Sequence, residues 1–480
     1  MAAMPMTRRG LPINRLLPSD KVLVVCGRAD DAAAWQDLLG PTRCLALALD
    51  DAPPAARRRP LRGASDHLSW QHHAISGLDG SGWLAGPADA FDPDSTAALL
   101  LPDPLDPPHS GARRRIGARQ PAWQFFEDKT VVDALWDAAG VPRAQSIVGD
   151  GTADLARLGT IVDQGTGIVC SYQPIGAGPS AGGDGIWWWR GGLPPEAIPT
   201  VKPGTWRVRL MPFLEGIPVR LHGLALTTRI IPFPPMELVT LPRPGRGTFL
   251  CAGAVPILNN AAEFAEQTNR IGASLRERLG YRGGFSVDGI LTVNGFIPTD
   301  FNARLTSAME AAPSDRRVLL HAVNLLAREG IEPDISAVER LAEETFTAGT
   351  TCTIFGAATR ANKHVPPETS IRWVGDRLVA DPLGADGTLV ISPSPRGWLL
   401  TATLVSDRLP DGGRVGPWAP EVFRLSDQVL GTDFGNLAPP FDTQPPAGLP
   451  ATPAPIFSPR RSVPVKGTSG IASGADRRPG

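Results

Sequence analysis

Apolar residues recur over the first 120 positions in short unbroken runs separated by polar turns. Lys21-Val-Leu-Val-Val-Cys-Gly27 ends in glycine and reads as a buried strand; Ala32 to Leu39 reads as a helix closed by Gly40-Pro41; Cys44 to Leu49 and Ala97 to Leu101 read as further strands. Strand alternating with helix predicts an α/β domain, with loops at 52–60 and 102–117 whose triple arginines are solvated charge. From Trp123 the pattern changes. Asp128 to Ala139 places Val131, Val132, Leu135, Trp136 and Ala139 on one face before Gly140 and Pro142, a helix with a clean stop. Strands at 168–173 and 186–189 flank the glycine-rich loop Gly176–Gly185, and strands at 206–211 and 219–226 flank Pro212-Phe-Leu-Glu-Gly216. An amphipathic helix over 261–279 precedes a hairpin, Phe285 to Val293 and Phe296 to Asn302, turning at Asn294-Gly295, and helices follow at 314–328 and 335–345. Short β runs at 351–355, 370–374, 387–392 and 398–405 predict a small mainly-β domain. Beyond Leu437 the chain has almost no large apolar residue and reads as a disordered tail.

The length, 480 residues, exceeds the roughly 250–300 at which one core stops growing, so several domains are expected. A formal net charge of −1 lacks the basic excess that phosphate-backbone binding needs, which excludes nucleic acid as a partner class. No apolar run approaches the roughly 18 residues of a membrane span, and Arg8-Arg9 is followed by Pro12, Asn14 and Arg15 rather than by an apolar segment, so neither membrane nor secretion is expected. The five cysteines are scattered and form no CxxC, which fits a reducing, cytoplasmic location. Of 47 Lys and Arg residues only Lys21, Lys129, Lys202, Lys363 and Lys466 are lysine, so any chemistry needing an amine has few candidates.

The hairpin carries the strongest chemical signal. Gly284-Phe-Ser-Val-Asp288 faces Asp300-Phe-Asn302-Ala-Arg304, and aspartates are poor strand formers. Either they pair with arginines on a solvated edge hairpin, or the carboxylates and the amide hold a hard cation such as Mg2+, whose other ligands are nucleotide phosphates and whose neighbour Arg304 neutralises the same phosphates. The second explanation makes a geometric demand. A strict two-residue turn at Asn294-Gly295 puts Asp288 on the face opposite Asp300 and Asn302, whereas an odd-length loop or a bulge sets Asp288 directly across from Asp300. Without a cation the two carboxylates would repel, so exchanging either for Asn should leave the fold as stable or slightly more so. The glycine loop is either a mobile hairpin tip or a flap whose backbone amides close over a polyphosphate. No Walker A, dinucleotide fingerprint or Gly-x-Ser-x-Gly elbow is present.

Taken in order, Asp128-Lys129, the Gly176–Gly185 loop, Leu210-Met-Pro-Phe-Leu-Glu-Gly216, Asp288 and Asp300-Phe-Asn302-Ala-Arg304 resemble the ATP-grasp superfamily of carboxylate–amine ligases, over about residues 121–345. The resemblance implies an α/β (α+β) protein: an N-terminal α/β domain at 20–120, a small subdomain with the flap at 121–209, a large subdomain with the metal site at 210–345, the mainly-β domain at 346–436 and the tail at 437–480. It implies ATP and Mg2+, or Mn2+ in its place, as cofactors. Lys129, Gln173, Gly176, Gly178, Gly182, Gly183, Met211, Phe213, Leu214 and Glu215 would bind the nucleotide. Asp288, Asp300 and Asn302 would bind the metal, and Arg304, Asp300 and Asn302 would act on the reacting phosphoryl group. The implied reaction joins a small carboxylate to an amine, amino acids or peptides, through an acyl phosphate; a homodimer is compatible with it. The alternative is a nucleotide-binding regulatory protein that kept the fold and lost turnover.

Several positions depart from the family pattern. Cys170-Ser-Tyr-Gln173 lacks the second lysine before the flap, so Gln173 stands there as a neutral donor, and Pro212 removes a hinge N–H. Glu215 is either a ribose ligand or a solvated turn carboxylate. Arg207, Arg209 and Arg220 either supply missing positive charge or serve as ion-pair partners. Consecutive Trp187, Trp188 and Trp189 alternate faces, so packing accounts for at least two of them. His67, His72 and His73 read as surface loop residues.

Overall fold

The computed structural model describes Pro12 and residues 21–440, apart from 54–55, 57–60, 62–63, 106–112, 152–154, 176–182, 191–197, 199–203, 257–260, 307–308, 310–311, 347–350, 363–367 and 410–413. The chain is a mixed α/β protein of four sheets, as expected. The first holds β1 (Val22–Cys26), β2 (Cys44–Ala48), β3 (Ala98–Leu100) and β4 (Arg115–Ile116), all parallel in the order β2-β1-β3-β4. Both faces are covered, which explains the unbroken apolar runs. Val22 and Val24 pack with Trp35 of α1 (Ala29–Leu39) and with Val318 and Leu325 of a later helix, while Leu23 and Val25 pack under α2 (Ala64–Ser76) and α3 (Ala85–Phe91). His67, His72 and His73 therefore lie on a helix, α2, rather than in a loop: Ser69 and Ser76 hydroxyls donate back to carbonyls four residues earlier, and Ala74 and Ile75 anchor the apolar side.

The second sheet is antiparallel, β5 (Ile147–Asp150), β8 (Trp206–Pro212), β6 (Ile168–Pro174) and β7 (Ile186–Trp189) in that order, with α4 (Asp133–Ala139) and α5 (Leu155–Val162) beside it. Helix α4 begins five residues later than its apolar pattern predicts, because the Asp128 carboxylate accepts both the N–H and the hydroxyl of Thr130 and holds a turn there. In the third sheet β9 (Ile217–Ala225) is flanked by β11 (Met236–Arg243) and β13 (Gly283–Thr292), with β12 (Thr248–Pro256) and β14 (Gly295–Asn302) outside them and β10 (Ile230–Pro232) on β9. Helix α6 (Ala261–Leu279) buries Phe264, Ile271 and Leu275 against β9 and β13, and α7 (Ser314–Arg328) and α8 (Ile335–Phe346) pack beyond.

The last sheet runs β15-β19-β18-β16-β17, made of β15 (Thr351–Ala358), β16 (Glu368–Val374), β17 (Arg377–Ala380), β18 (Gly387–Ser394) and β19 (Gly397–Val405). It shares a core with Val239, Leu241 and Leu250 of the third sheet and with α9 (Ala419–Leu430), a helix the sequence reading did not anticipate. Residues 437–440, expected in the tail, are packed: Leu437 is buried in that core and the Ala438 N–H donates to the Pro242 carbonyl. The rest of the expected tail, 441–480, lies outside the described residues. Among the described residues no helix is long and apolar enough to cross a membrane. In sequence order the small antiparallel sheet, whose β6 and β7 bracket residues 176–182, is followed by the larger antiparallel sheet that includes the acidic hairpin.

Candidate active site

The β13–β14 hairpin turns at Val293-Asn294, one residue before the predicted turn, so that Thr292 pairs with Gly295. Continued without a break, that register would put the aspartates on opposite faces. It breaks at one point. Gly289 pairs with Pro298 but Asp288 pairs with Asp300, leaving Thr299 as the extra residue of a bulge. The bulge explains how Phe296 and Phe301, five residues apart, both reach the core against α6, and why Asp300 and Asn302 then share a face with Asp288. Thr299 is tied on two sides: its hydroxyl donates to the Asp288 carbonyl, and its own carbonyl accepts from Arg209. Only glycine fits opposite it, since a Cβ at Gly289 would lie 2.5 Å from the Ile297 carbonyl oxygen.

Asp288, Asp300, Asn302 and Arg304 line a cleft of about 1410 Å3 whose walls come from the first, second, third and last sheets. Lys129, Gly183, Met211, Phe213 and Leu214 line it as well. Gln173 and Glu215 do not. Gln173 is buried on β6 across from Arg207, on the same side of the strand as the cleft residues Val169 and Ser171. Gly176, Gly178 and Gly182 lie outside the described residues.

Each acid has a cation. Arg220, the neighbour of Asp288 across β9, grips both of its carboxylate oxygens at 2.5 and 2.7 Å. Lys129 Nζ lies 2.5 Å from Asp300 Oδ2, while Asp300 Oδ1 is buried and accepts no hydrogen bond among the described residues. Burial pushes the Asp288 carboxyl up, but the Arg220 guanidinium outweighs it and holds Asp288 below the usual carboxylate range. The neighbouring His222 is driven down to about 3 by burial and by Arg220, so it is neutral at pH 7; its Nε2 lies 3.0 Å from the Thr306 hydroxyl. Arg304 is held by Glu127, whose carboxylate also accepts the Ala303 N–H at 2.9 Å.

Asp288 thus pairs with an arginine and Asp300 with a lysine, and both acids face a shared cleft. Arg207 pairs with Asp128 and Arg209 with Asp133, so all three arginines beside the hinge are ion-pair partners, and Arg209 and Arg220 also line the cleft. Sequence reasoning missed Glu127 and Asp133. The signal available was their position immediately around the Asp128-Lys129 pair. In the hinge, the Phe213 N–H donates to the Gly167 carbonyl at 2.8 Å and the Phe213 carbonyl accepts the Thr166 hydroxyl at 2.6 Å, so this residue offers the cleft its ring rather than its backbone. Trp187 and Trp189 are core residues of the second sheet, while Trp188 points the other way and lies against Phe213 and Phe249.

No family model and no curated protein sequence matches this chain. Among solved structures, the chain is similar to an N5-carboxyaminoimidazole ribonucleotide synthetase from Thermotoga maritima, with 12% identity over 88% of this chain and 99% of that one and a TM-score of 0.43. A biotin carboxylase in a βγ-ATP complex from Campylobacter jejuni shows 11% identity over 88% and 93%, with a TM-score of 0.48. A phosphoribosylamine–glycine ligase from Thermotoga maritima shows 11% identity over 87% and 98%, with a TM-score of 0.44. Likenesses of this size carry no conclusion about chemistry, which has to come from the residues of the cleft.

Proposed function

We propose that the protein is an ATP-dependent ligase that joins a carboxylate to an amine, releasing ADP and phosphate, and that the cleft is its active site. The observation that carries this reading is the bulge that brings Asp288 across from Asp300 on the cleft face, with Asn302 beyond. Two carboxylates and an amide are hard oxygen donors, and Asp300 Oδ1 lacks a partner. Among the described residues no group of three or more His, Cys, Asp or Glu could hold a metal ion. The donor set would hold Mg2+, or Mn2+, only together with nucleotide phosphates and not as a cation caged by protein alone. Bound there, the metal would supply charge neutralisation for the transferring phosphoryl group.

The chain's own residues do the rest by position and charge. Lys129 reaches the cleft beside Asp300 and would take the phosphates, with Gly183 of the glycine-rich loop beside them. Met211, Phe213 and Leu214 would form the adenosine end. Arg304, oriented by Glu127, would face the transferring phosphoryl group as the substrate carboxylate attacks it and stabilise the acyl phosphate until the amine displaces phosphate. Amino acids or peptides are the proposed substrate class, and 121–209 and 210–345 the two halves of the grasp core.

Nucleotide product analysis with ATP, Mg2+ and a panel of acids and amines tests the reading. ADP and phosphate appearing only when an acid and an amine are both present is the expected result. AMP and pyrophosphate would replace it with an adenylating enzyme. Saturable ATP binding without turnover would favour the regulatory reading, to which the Arg220 grip on Asp288 and the internally satisfied Phe213 backbone point.

A further inference from the structure

Among the described residues, buried and nearly buried arginines have a carboxylate. Arg113 pairs with Asp92, Arg209 with Asp133, Arg220 with Asp288, Arg304 with Glu127, Arg317 with Asp31 and Arg328 with Asp103. Three arginines of the cleft wall have none, although they are less buried, Arg246 being exposed. Arg243 and Arg246 stand at the β11–β12 turn and Arg396 at the β18–β19 turn; all three line the cleft, and among the described residues none forms an ion pair with a carboxylate. Arg243 is half-buried, and its Nε is shielded from solvent with no acceptor among the described residues. Burial lowers the pKa of Arg243, and the charges of Arg246 and Arg396 lower it further; burial lowers that of Arg396 too. The Asp433 carboxylate offsets part of this at Arg243 without forming an ion pair. An anion bound between the guanidinium groups would relieve the rest, and their planar forks match carboxylate and phosphate oxygens.

Their location connects them to the acidic hairpin. The charge of Arg396 is felt at Cys251, whose thiol also feels Arg220 and Asp288, and Arg396 in turn feels Asp184 at the outgoing end of the flap. The turn bearing Arg396 is fixed from the N-terminal domain, since the Leu61 N–H donates to the Pro395 carbonyl at 3.0 Å. The Ser65 N–H holds Asp184 at 2.9 Å. The arginines thus line the same cleft as the acidic hairpin, at turns of the third and last sheets, whereas Lys129 meets Asp300 of that hairpin directly.

We propose that Arg243, Arg246 and Arg396 form a subsite for a second anionic group of the acid substrate, the far carboxylate of a compact dicarboxylate or a phosphate. The subsite itself stands on the unpaired arginines; its assignment to the acid substrate rests on the ligase reading. Isothermal titration calorimetry on the full chain at about 0.15 M salt, where weak surface attraction is screened, provides the test with succinate, inorganic phosphate and acetate as probes. At least one dianion should bind about tenfold or more tightly than acetate, and whether succinate or phosphate binds better tells a carboxylate site from a phosphate site. Binding should persist with saturating non-hydrolysable ATP and Mg2+. The double substitution Arg243→Gln and Arg396→Gln should weaken it by about tenfold or more, while Arg396→Lys retains part of it. Dianions binding no better than acetate to the parent protein would overturn the proposal whatever the variants do. Displacement of the dianion by the nucleotide would overturn it too, because the arginines would then belong to the ATP phosphates. Failure of the ligase reading looks different: dianion binding would remain intact while no acid and amine released ADP.

Discussion

The pairing of Arg220 with Asp288 changes what a single substitution at the acidic hairpin does. From the sequence, two facing aspartates repel and losing one charge is neutral or favourable. In the folded protein each already has a cation, so removing one partner strands the other in a largely buried place. Arg220→Met should therefore cost about 3–5 kcal/mol of stability in urea unfolding, and a change below about 1 kcal/mol would show that solvent screens the pair. Asp288→Asn should also destabilise, by stranding Arg220. The sign with pH follows from the depressed carboxyl. Asp288 contributes stability that is fully present above its unfolded pKa and is lost as pH falls through its lower folded value, so the parent should weaken below about pH 4 and the Asn variant less steeply.

At the scale of the hairpin, strand parity decides whether a site exists. Phe296 and Phe301 are both in the core, which two residues of opposite parity reach only if the strand slips between them, and Thr299 is the slip. Deleting Thr299 closes the bulge and leaves Gly289 across from Pro298 and Asp288 across from Asp300, with Phe296 and Phe301 four positions apart on the core face. The deletion variant should therefore stay folded and keep Mg2+-dependent nucleotide binding, losing only about 1–2 kcal/mol in denaturant unfolding for the two hydrogen bonds of Thr299. A loss above about 3 kcal/mol, the cost of expelling an aromatic, would mean that parity does not set the register.

Across the whole molecule, the first sheet does not own its core. One of its faces packs on Val318, Ala322 and Leu325 of α7, and Asp103, which follows β3, binds Arg328 and Asn324 of α7 and the Leu305 N–H. Burial pushes the Asp103 carboxyl up, but Arg328 and Arg119 hold it below the carboxylate range, as an anion inside the protein. Asp103→Ala should leave Arg328 stranded and cost about 3–5 kcal/mol. In the same experiment the parent's far-ultraviolet circular dichroism and tryptophan fluorescence should lose signal together. Separate transitions in the parent would show that the N-terminal domain and the core unfold independently.

The sequence alone was enough for what depends on local period and composition. Unbroken apolar runs marked the parallel strands, the alternation of Trp187 to Trp189 foretold two core residues and one facing away, and the odd aspartates in a hairpin singled out residues that line the cleft. It also specified the alternatives at that site, because strand parity is a rule of the backbone. What it could not decide was which alternative held: the turn moved one residue from the Asn-Gly signal, and a bulge at Thr299 of β14 restored the parity that a regular ladder from that turn would lack. The cations at Asp288 and Asp300, the occupation of Arg304 by Glu127 and the convergence of Arg243, Arg246 and Arg396 join residues from about 70 to 180 positions apart. Such distances carry no local signature. They become contacts only when the sheets pack, because the charge a buried side chain meets is set by its neighbours in space and not by its neighbours in the chain.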